Sequence, residues 1–227
     1  MPAGAPLDCT RCPALVRTRN RVVNGEGPDD AAIVFVGEGP GVTEDERGRP
    51  FIGKAGRVLK VIEWAAGIDS HRVYHTNATR CWGHRNPTGK EVDACHDFLI
   101  EEIRQVNPKV VVSLGGPALR SLYRAGPTVG DVMGFTIYND ELPGIPIIPT
   151  YHPSYIMRGN WGAVALVLAH FRKAQRIATT EDWKEELGSY MGITTLEELH
   201  SLRDYLLGPD VEVISIDTET TGLSWMD

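Results

Sequence analysis

Four short apolar runs recur along this 227-residue chain, at Ile33–Val36, Val73–Asn77, Val110–Leu114 and Ile145–Pro149. Helical apolar spacing fills the intervals between the first three. It covers Arg57–Ala66, with Val58, Leu59, Ile62 and Ala65 on one face, and Glu91–Asn107. A third helix is expected from near Gly116, and a long one over Gly162–Thr179. Runs this short and continuously apolar are buried on both faces, and their alternation with helices implies βαβ units. The expected fold class is therefore α/β, a three-layer α/β/α sandwich around a central, mainly parallel four-stranded sheet. The stretch Gly126–Gly144 is turn-rich and is expected to hold a small hairpin around Phe135–Tyr138.

The interval after the first run is unlike the others. From Val36 to Gly56 it reads V-G-E-G-P-G-V-T-E-D-E-R-G-R-P-F-I-G-K-A-G. Loops at the carboxyl ends of strands in such sheets are where ligands bind. The glycines allow close backbone approach, Pro40 and Pro50 stiffen the frame, and Glu38, Glu44 and Phe51 are mounted on it. That composition suits a flat, polar ligand. A phosphate loop is disfavoured, because G-x-x-x-x-G-K-[ST] is missing and acidic residues stand where an anion would sit.

The pattern G-E-G-P-G-x-x-E-D-x-x-G-x-P-F-x-G-x-A-G resembles the first motif of the family 4 uracil-DNA glycosylases, the iron–sulfur branch of that superfamily. Two further segments carry the same resemblance. Val73-Tyr74-His75-Thr76-Asn77 places an asparagine at a strand end, where its amide matches the O4 and N3–H edge of uracil and mismatches cytosine. His152-Pro153-Ser154, with Arg158 four residues on, matches the family's H-P-S-x-x-x-R. The resemblance spans roughly residues 8–178 and implies a uracil-DNA glycosylase-like fold and hydrolysis of the N-glycosidic bond of flipped uracil, leaving an abasic site. It implies catalytic roles for Glu38, Glu44, Asn77 and His152, with either glutamate able to orient water. Substrate contacts fall to Gly37, Gly39, Pro40, Gly41, Phe51, Asn77, Ser154 and Arg158, with Ser154 on a backbone phosphate. Ile156, Met157 and Arg158 are expected to fill the space left by the extruded nucleotide. Gly39 stands where family 1 relatives carry a water-activating aspartate, and Gly41 where they carry a thymine-excluding tyrosine. The K-R-R-I-H loop of a covalently trapping relative is missing.

Four cysteines complete the pattern, Cys9 and Cys12 as C-x-x-C, then Cys81 and Cys95. Four thiols in an intracellular chain point to a metal or cluster rather than disulfides, and spacing alone leaves zinc and iron–sulfur both open. The resemblance implies a [4Fe-4S] cluster on Cys9, Cys12, Cys81 and Cys95. After Cys81 the sequence W-G-H-R-N-P replaces the family's usual R-P-P-x-N-R-x-P and looks shorter.

Net charge is −7, but unevenly spread. Residues 1–180 hold 18 acidic and 21 basic side chains, residues 181–227 twelve and two. A DNA-binding body is permitted despite the overall sign. The longest aliphatic stretch, Ala163–Ala169, is too short for a membrane span and no signal peptide is evident, so a soluble, cytoplasmic, monomeric protein is expected. Three parts are expected: a glycosylase-like domain over 1–178, a linker over 179–193, and the truncated start of another domain over 194–227. The last contains Ile214-Ser215-Ile216-Asp217-Thr218-Glu219-Thr220-Thr221-Gly222-Leu223, similar to the first motif of DEDD 3′–5′ exonucleases. There Asp217 and Glu219 are candidate ligands for divalent metal in an intact exonuclease. Such an arrangement suggests the amino-terminal part of a phage-type DNA polymerase. The rival expectation is a non-catalytic module that reads uracil or a modified base in DNA for the polymerase.

Overall fold

Each apolar run forms a strand: β1 (Ile33–Gly37), β2 (Val73–Asn77), β3 (Val110–Leu114) and β4 (Ile147–Thr150). These four lie in one parallel sheet in the order β2-β1-β3-β4, as seen in a computed structural model that describes residues 4–124, 126–181, 183 and 195–207. The helices are α1 (Pro13–Val16), α2 (Val42–Arg47), α3 (Lys54–Ala65), α4 (Gly89–Val106), α5 (Gly116–Leu122), α6 (Val129–Val132), α7 (Pro153–Met157), α8 (Ala163–Thr179) and α9 (Leu196–Leu206).

Alternate strand residues point to opposite faces, so the sheet has two cores. Ile33, Phe35, Val110, Val112 and Ile148 pack under α3, α7 and α8, against Leu59, Ile62, Ile156, Val167 and Phe171. Val34, Val36, Val111 and Ile147 face α4 and α5, meeting Leu99, Ile100, Ile103, Ala118 and Leu122. This is the expected three-layer sandwich. α4 starts at a capping box, in which Thr88 Oγ1 accepts from the Glu91 amide and Glu91 Oε2 accepts from the Thr88 amide; it stops at Asn107 in the left-handed region (φ 48°).

Two local expectations need correction. α3 starts at Lys54 rather than Arg57, capped by Gly53, because Gly56 belongs to the helix: a Cβ there would lie 1.8 Å from the Phe51 carbonyl oxygen. No hairpin forms around Phe135–Tyr138. Instead α6 is nucleated by a Thr128–Asp131 capping box, and Ile137 makes a single antiparallel bridge with Ile147. Glu26 does the same with His75 on the opposite edge. Both outer strands therefore have part of their exposed edge paired, which blunts the sheet against further strand addition.

The chain divides into two units, Met1–Lys184 and Glu185–Asp227. α9 lies in the second. The exonuclease-like stretch with Asp217 and Glu219 lies outside the described residues.

One charged pair sits inside the first unit. Arg80 and Glu102 are each about 1% exposed, with Nη2 and Oε2 2.6 Å apart. Glu102 also accepts from Thr76 Oγ1 (2.6 Å), Tyr74 Oη (3.0 Å) and the Gly25 amide (3.1 Å), so α4, β2 and the segment before β1 meet on one carboxylate. Removing one member of such a pair leaves an uncompensated buried charge. Glu102→Ala is expected to lower unfolding free energy by about 3–5 kcal/mol in urea titrations.

Candidate active site

The loop leaving β1 is held from its first residue. The sheet ladder runs on past the strands, with the Ala78 amide donating to Gly37 O (2.8 Å) and the Thr79 amide to Glu38 O (3.2 Å). A Cβ on Gly37 would come within 2.4 Å of Phe51 Cζ and 2.5 Å of Asn77 Oδ1. Glycine is therefore what lets the Phe51 ring and the Asn77 amide close over the strand end. Glu44 is buried, and its Oε1 accepts from the Gly53 amide (2.7 Å), pinning the two halves of the loop together. Phe51 adopts φ 52° and is itself buried. Against it lies the ring of His75, 5.6 Å away, whose Nε2 is 2.7 Å from Oε1 of the buried Glu63.

These residues enclose a cavity of about 340 Å³ whose walls include Gly39, Gly41, Glu44, Phe51, Asn77 and His152. A second cavity of about 270 Å³ shares Gly39, Gly41 and His152 with it, and adds Glu38, Pro40, Ser154 and the segment from Cys81 to Pro87.

His152 caps α7. Its Nδ1 accepts from the Ser154 amide (3.2 Å) and lies 2.8 Å from Ser154 Oγ, which in turn accepts from Arg158 Nη1 (3.2 Å). An amide can only donate, so Nδ1 carries the lone pair and the proton of the neutral ring is on Nε2. Burial, and then the Arg158 charge, pushes the His152 pKa down to about 4, so the ring is neutral at pH 7. Burial raises the Glu38 carboxyl above its usual range, with Arg158 opposing.

Gly115, at the end of β3, went unnoticed in the sequence. It has φ 89°, and a Cβ there would sit 2.2 Å from Glu38 Oε1 and 3.1 Å from His152 Cβ. The signal was available as Gly115-Gly116-Pro117, a glycine pair and proline between a strand and a helix. Ile156 corrects an expectation: at 1% exposure it belongs to the core and cannot enter DNA, whereas Met157 is exposed.

Cys81 lines the second cavity, and Cys9, Cys81 and Cys95 all lie near enough to act on the Cys12 thiol. All are free thiols. Burial, then the proximity of Cys95 and Cys81, pushes the Cys12 thiol up to about 11, and Cys81 and Cys95 are raised chiefly by burial. Arg19 donates to Cys81 Sγ (3.0 Å) and to the Cys9 carbonyl (2.6 Å). Among the described residues, no three His, Cys, Asp or Glu side chains close around a single metal ion.

Comparison with known proteins agrees with this architecture. Residues 24–178 match the uracil DNA glycosylase superfamily. The type-4 uracil-DNA glycosylase of Thermotoga maritima is 43% identical over 178 residues, covering 76% of this chain and 91% of that protein. The type-4 enzyme of Pyrobaculum aerophilum is 35% identical over 159 residues, covering 66% and 80%. A DNA polymerase of Bacillus phage SP01 is 28% identical over 139 residues, which is 60% of this chain and 15% of that protein. The chain belongs to the uracil-DNA glycosylase superfamily and, within it, to the type-4 family.

Gly115→Ala forces a side chain into a left-handed backbone and against Glu38. It is expected to cost about 1–3 kcal/mol in denaturant unfolding, while an alanine at Gly116, where a Cβ meets nothing within 4 Å, costs far less.

Proposed function

We propose that the chain removes uracil from DNA, single- or double-stranded, by hydrolysing the N-glycosidic bond. The observation that carries this is the convergence of a neutral imidazole, a buried amide and an aromatic wall on one cavity. An extruded uracil lies against Phe51 while Asn77 reads O4 and N3–H. Water attacks C1′ as the C1′–N1 bond breaks, and its electrons pass to N1 and O2 of the leaving base. Nε2–H of His152 donates to O2 as charge develops there, and Arg158 through Ser154 holds the ring in that tautomer. Glu38 orients the water and takes its proton, and the uracil anion is protonated from solvent. Glu44 is left with a structural task, since its Oε1 is already engaged by Gly53.

Incubation with uracil-containing oligonucleotides, followed by alkaline cleavage of abasic sites, tests the reading directly; intact strands would refute it. His152→Ala is expected to lose about 10²–10³ in rate. Activity requires ionised Glu38, so the rate should rise with pH through a value above the usual glutamate range. In Glu38→Gln the slower residual reaction should keep only the limb near pH 4, where His152 gains a proton. An unchanged profile in that variant would move the water-orienting role elsewhere.

Cys9, Cys12, Cys81 and Cys95 are proposed to hold a [4Fe-4S] cluster. The donor set fits: Cys9, Cys12, Cys81 and Cys95 are four free thiols, the ligand type and number that such a cluster takes. When bound, the cluster supplies covalent cross-linking of the amino-terminal segment to the end of β2 and to α4. Anaerobically purified protein should contain about four irons per chain and absorb in the visible. Stoichiometric zinc without iron would contradict this.

Residues 194–227 are proposed to begin an exonuclease-like domain after a linker over 179–193, associating the glycosylase domain with a DNA polymerase. The similarity to the phage SP01 polymerase supports this, as does the I-D-T-E-T-T-G-L pattern holding Asp217 and Glu219. That similarity also favours a second reading, a module that binds uracil for a polymerase without cutting. Tight binding to uracil-containing DNA with no base release would select it.

A further inference from the structure

The segment after Cys81 takes no part in the steps above, yet it is built with care. The rings of Trp82 and His84 lie 3.8 Å apart between centroids, inclined by 33°. His84 reaches this position with φ 59°, a backbone conformation unfavourable for a residue with a side chain. The segment is braced at both ends. Arg85 makes a bidentate pair with Glu91 (2.7 and 2.8 Å), whose carboxyl is thereby held down to about 2, and Thr18 Oγ1 donates to the Trp82 carbonyl (3.2 Å).

Both rings line the second cavity, Trp82 half-buried and His84 exposed. The same cavity is lined by Gly39, Gly41, His152 and Ser154, of which the first three also bound the uracil cavity. A strand whose uracil occupies the first cavity must therefore carry a neighbouring nucleotide past the second. Gly39 and Gly41 present no side chain to obstruct it, and the cavity's remaining lining is mixed polar and apolar, including Leu15, Thr79 and Asn86.

The geometry points to a subsite in which the nucleobase adjacent to uracil stacks on the Trp82–His84 pair. Every base has a π-face, so such a platform accepts any sequence. In a duplex the adjacent base remains stacked within the helix, so the ligand is the adjacent base of single-stranded DNA. This rests on the reading of the first cavity as a uracil pocket.

The test uses single-stranded oligonucleotides in which uracil is flanked by ordinary nucleotides or, on either side in turn, by an abasic analogue. Uracil release is measured alongside equilibrium binding of the same strands carrying 2′-fluorodeoxyuridine, which resists cleavage. For the wild-type protein, removing one flanking base should weaken binding and kcat/KM by about 10- to 100-fold. Trp82→Ala should lose the same factor on the intact strand, and the two losses should not add. Trp82→Phe should recover most of it. If Trp82→Ala alters visible absorbance, and so disturbs the cysteines, His84→Ala carries the same comparison from the exposed side of the pair. Additive losses, or indifference of the wild-type protein to both flanking bases, would overturn the subsite. Flank-sensitive binding without uracil release would overturn the catalytic reading and leave the subsite standing. Normal release with flank-independent binding would do the reverse.

Discussion

The buried Arg80–Glu102 pair is the constraint on which the arrangement of this molecule depends. A carboxylate deep in a protein is tolerable only when every lone pair it exposes is met, and Glu102 is met by a guanidinium, two hydroxyls and an amide. Those donors come from β2, from the turn that follows it and from the segment before β1. Satisfying one charge therefore fixes the strand that ends in Asn77, the residue preceding Cys81, and the helix that carries Cys95. The pair also rules out slippage of β2 by one residue, because Tyr74 and Thr76 must present their hydroxyls to the same face. A hydrophobic substitute of equal volume would fill the space without specifying the register.

Two titratable groups in the pocket are pushed in opposite directions by the same cause. Burial disfavours charge, which lowers His152 and raises Glu38. Arg158 reinforces the first shift and opposes the second, so a single cation keeps the imidazole neutral while helping the carboxylate to ionise. Separating two pKa values in this way is how one site assigns different proton-handling tasks to neighbouring residues. Neither shift requires movement, since Gly115, Gly37 and the His75–Glu63 contact behind Phe51 already hold the walls in place.

The layered fold was readable because its strands are uninterrupted apolar runs and its helices keep a 3.6-residue spacing. The placing of Asn77 and His152 on one cavity was readable because they lie at or just beyond strand ends within recognisable motifs. What the sequence hid depends on contacts distant along the chain. Glu44 lines the first cavity, yet its Oε1 accepts from the Gly53 amide, and that backbone engagement leaves no trace in composition. Gly115 lies outside every motif and matters only because Glu38, 77 positions earlier, leans on it. Ile156 fell in a segment read as DNA-facing, and one helical turn decides whether such a residue points to solvent or to Phe171 and its neighbours. The expected hairpin failed for a related reason: Ile137 found a better partner on the edge of β4 than within its own loop.

The amino-terminal segment raises a different question of energetics. Its small core consists of Ala5, Leu15, Val22 and Cys81, with Cys12 and Phe98 packed against it. Ordering each backbone residue costs about 1–2 kcal/mol, so twenty residues need more than this cluster of side chains supplies. Asp45 accepts from the Asn20 and Arg21 amides at the end of the segment nearest β1, while Arg19 reaches the Cys9 carbonyl, Asn24 pairs with the Ala5 backbone and Arg11 reaches the Ala94 carbonyl on α4. The thiols of Cys9 and Cys12 are positioned to tie the other end. Left as thiols both are only partly buried, and burial together with the neighbouring cysteines raises Cys12; bound to a cluster both would become thiolates neutralised by metal. Because Leu15 and Cys81 form part of the wall of the second cavity, anchoring this segment also fixes that wall. A cluster held by these four thiols would act through the shape of that wall.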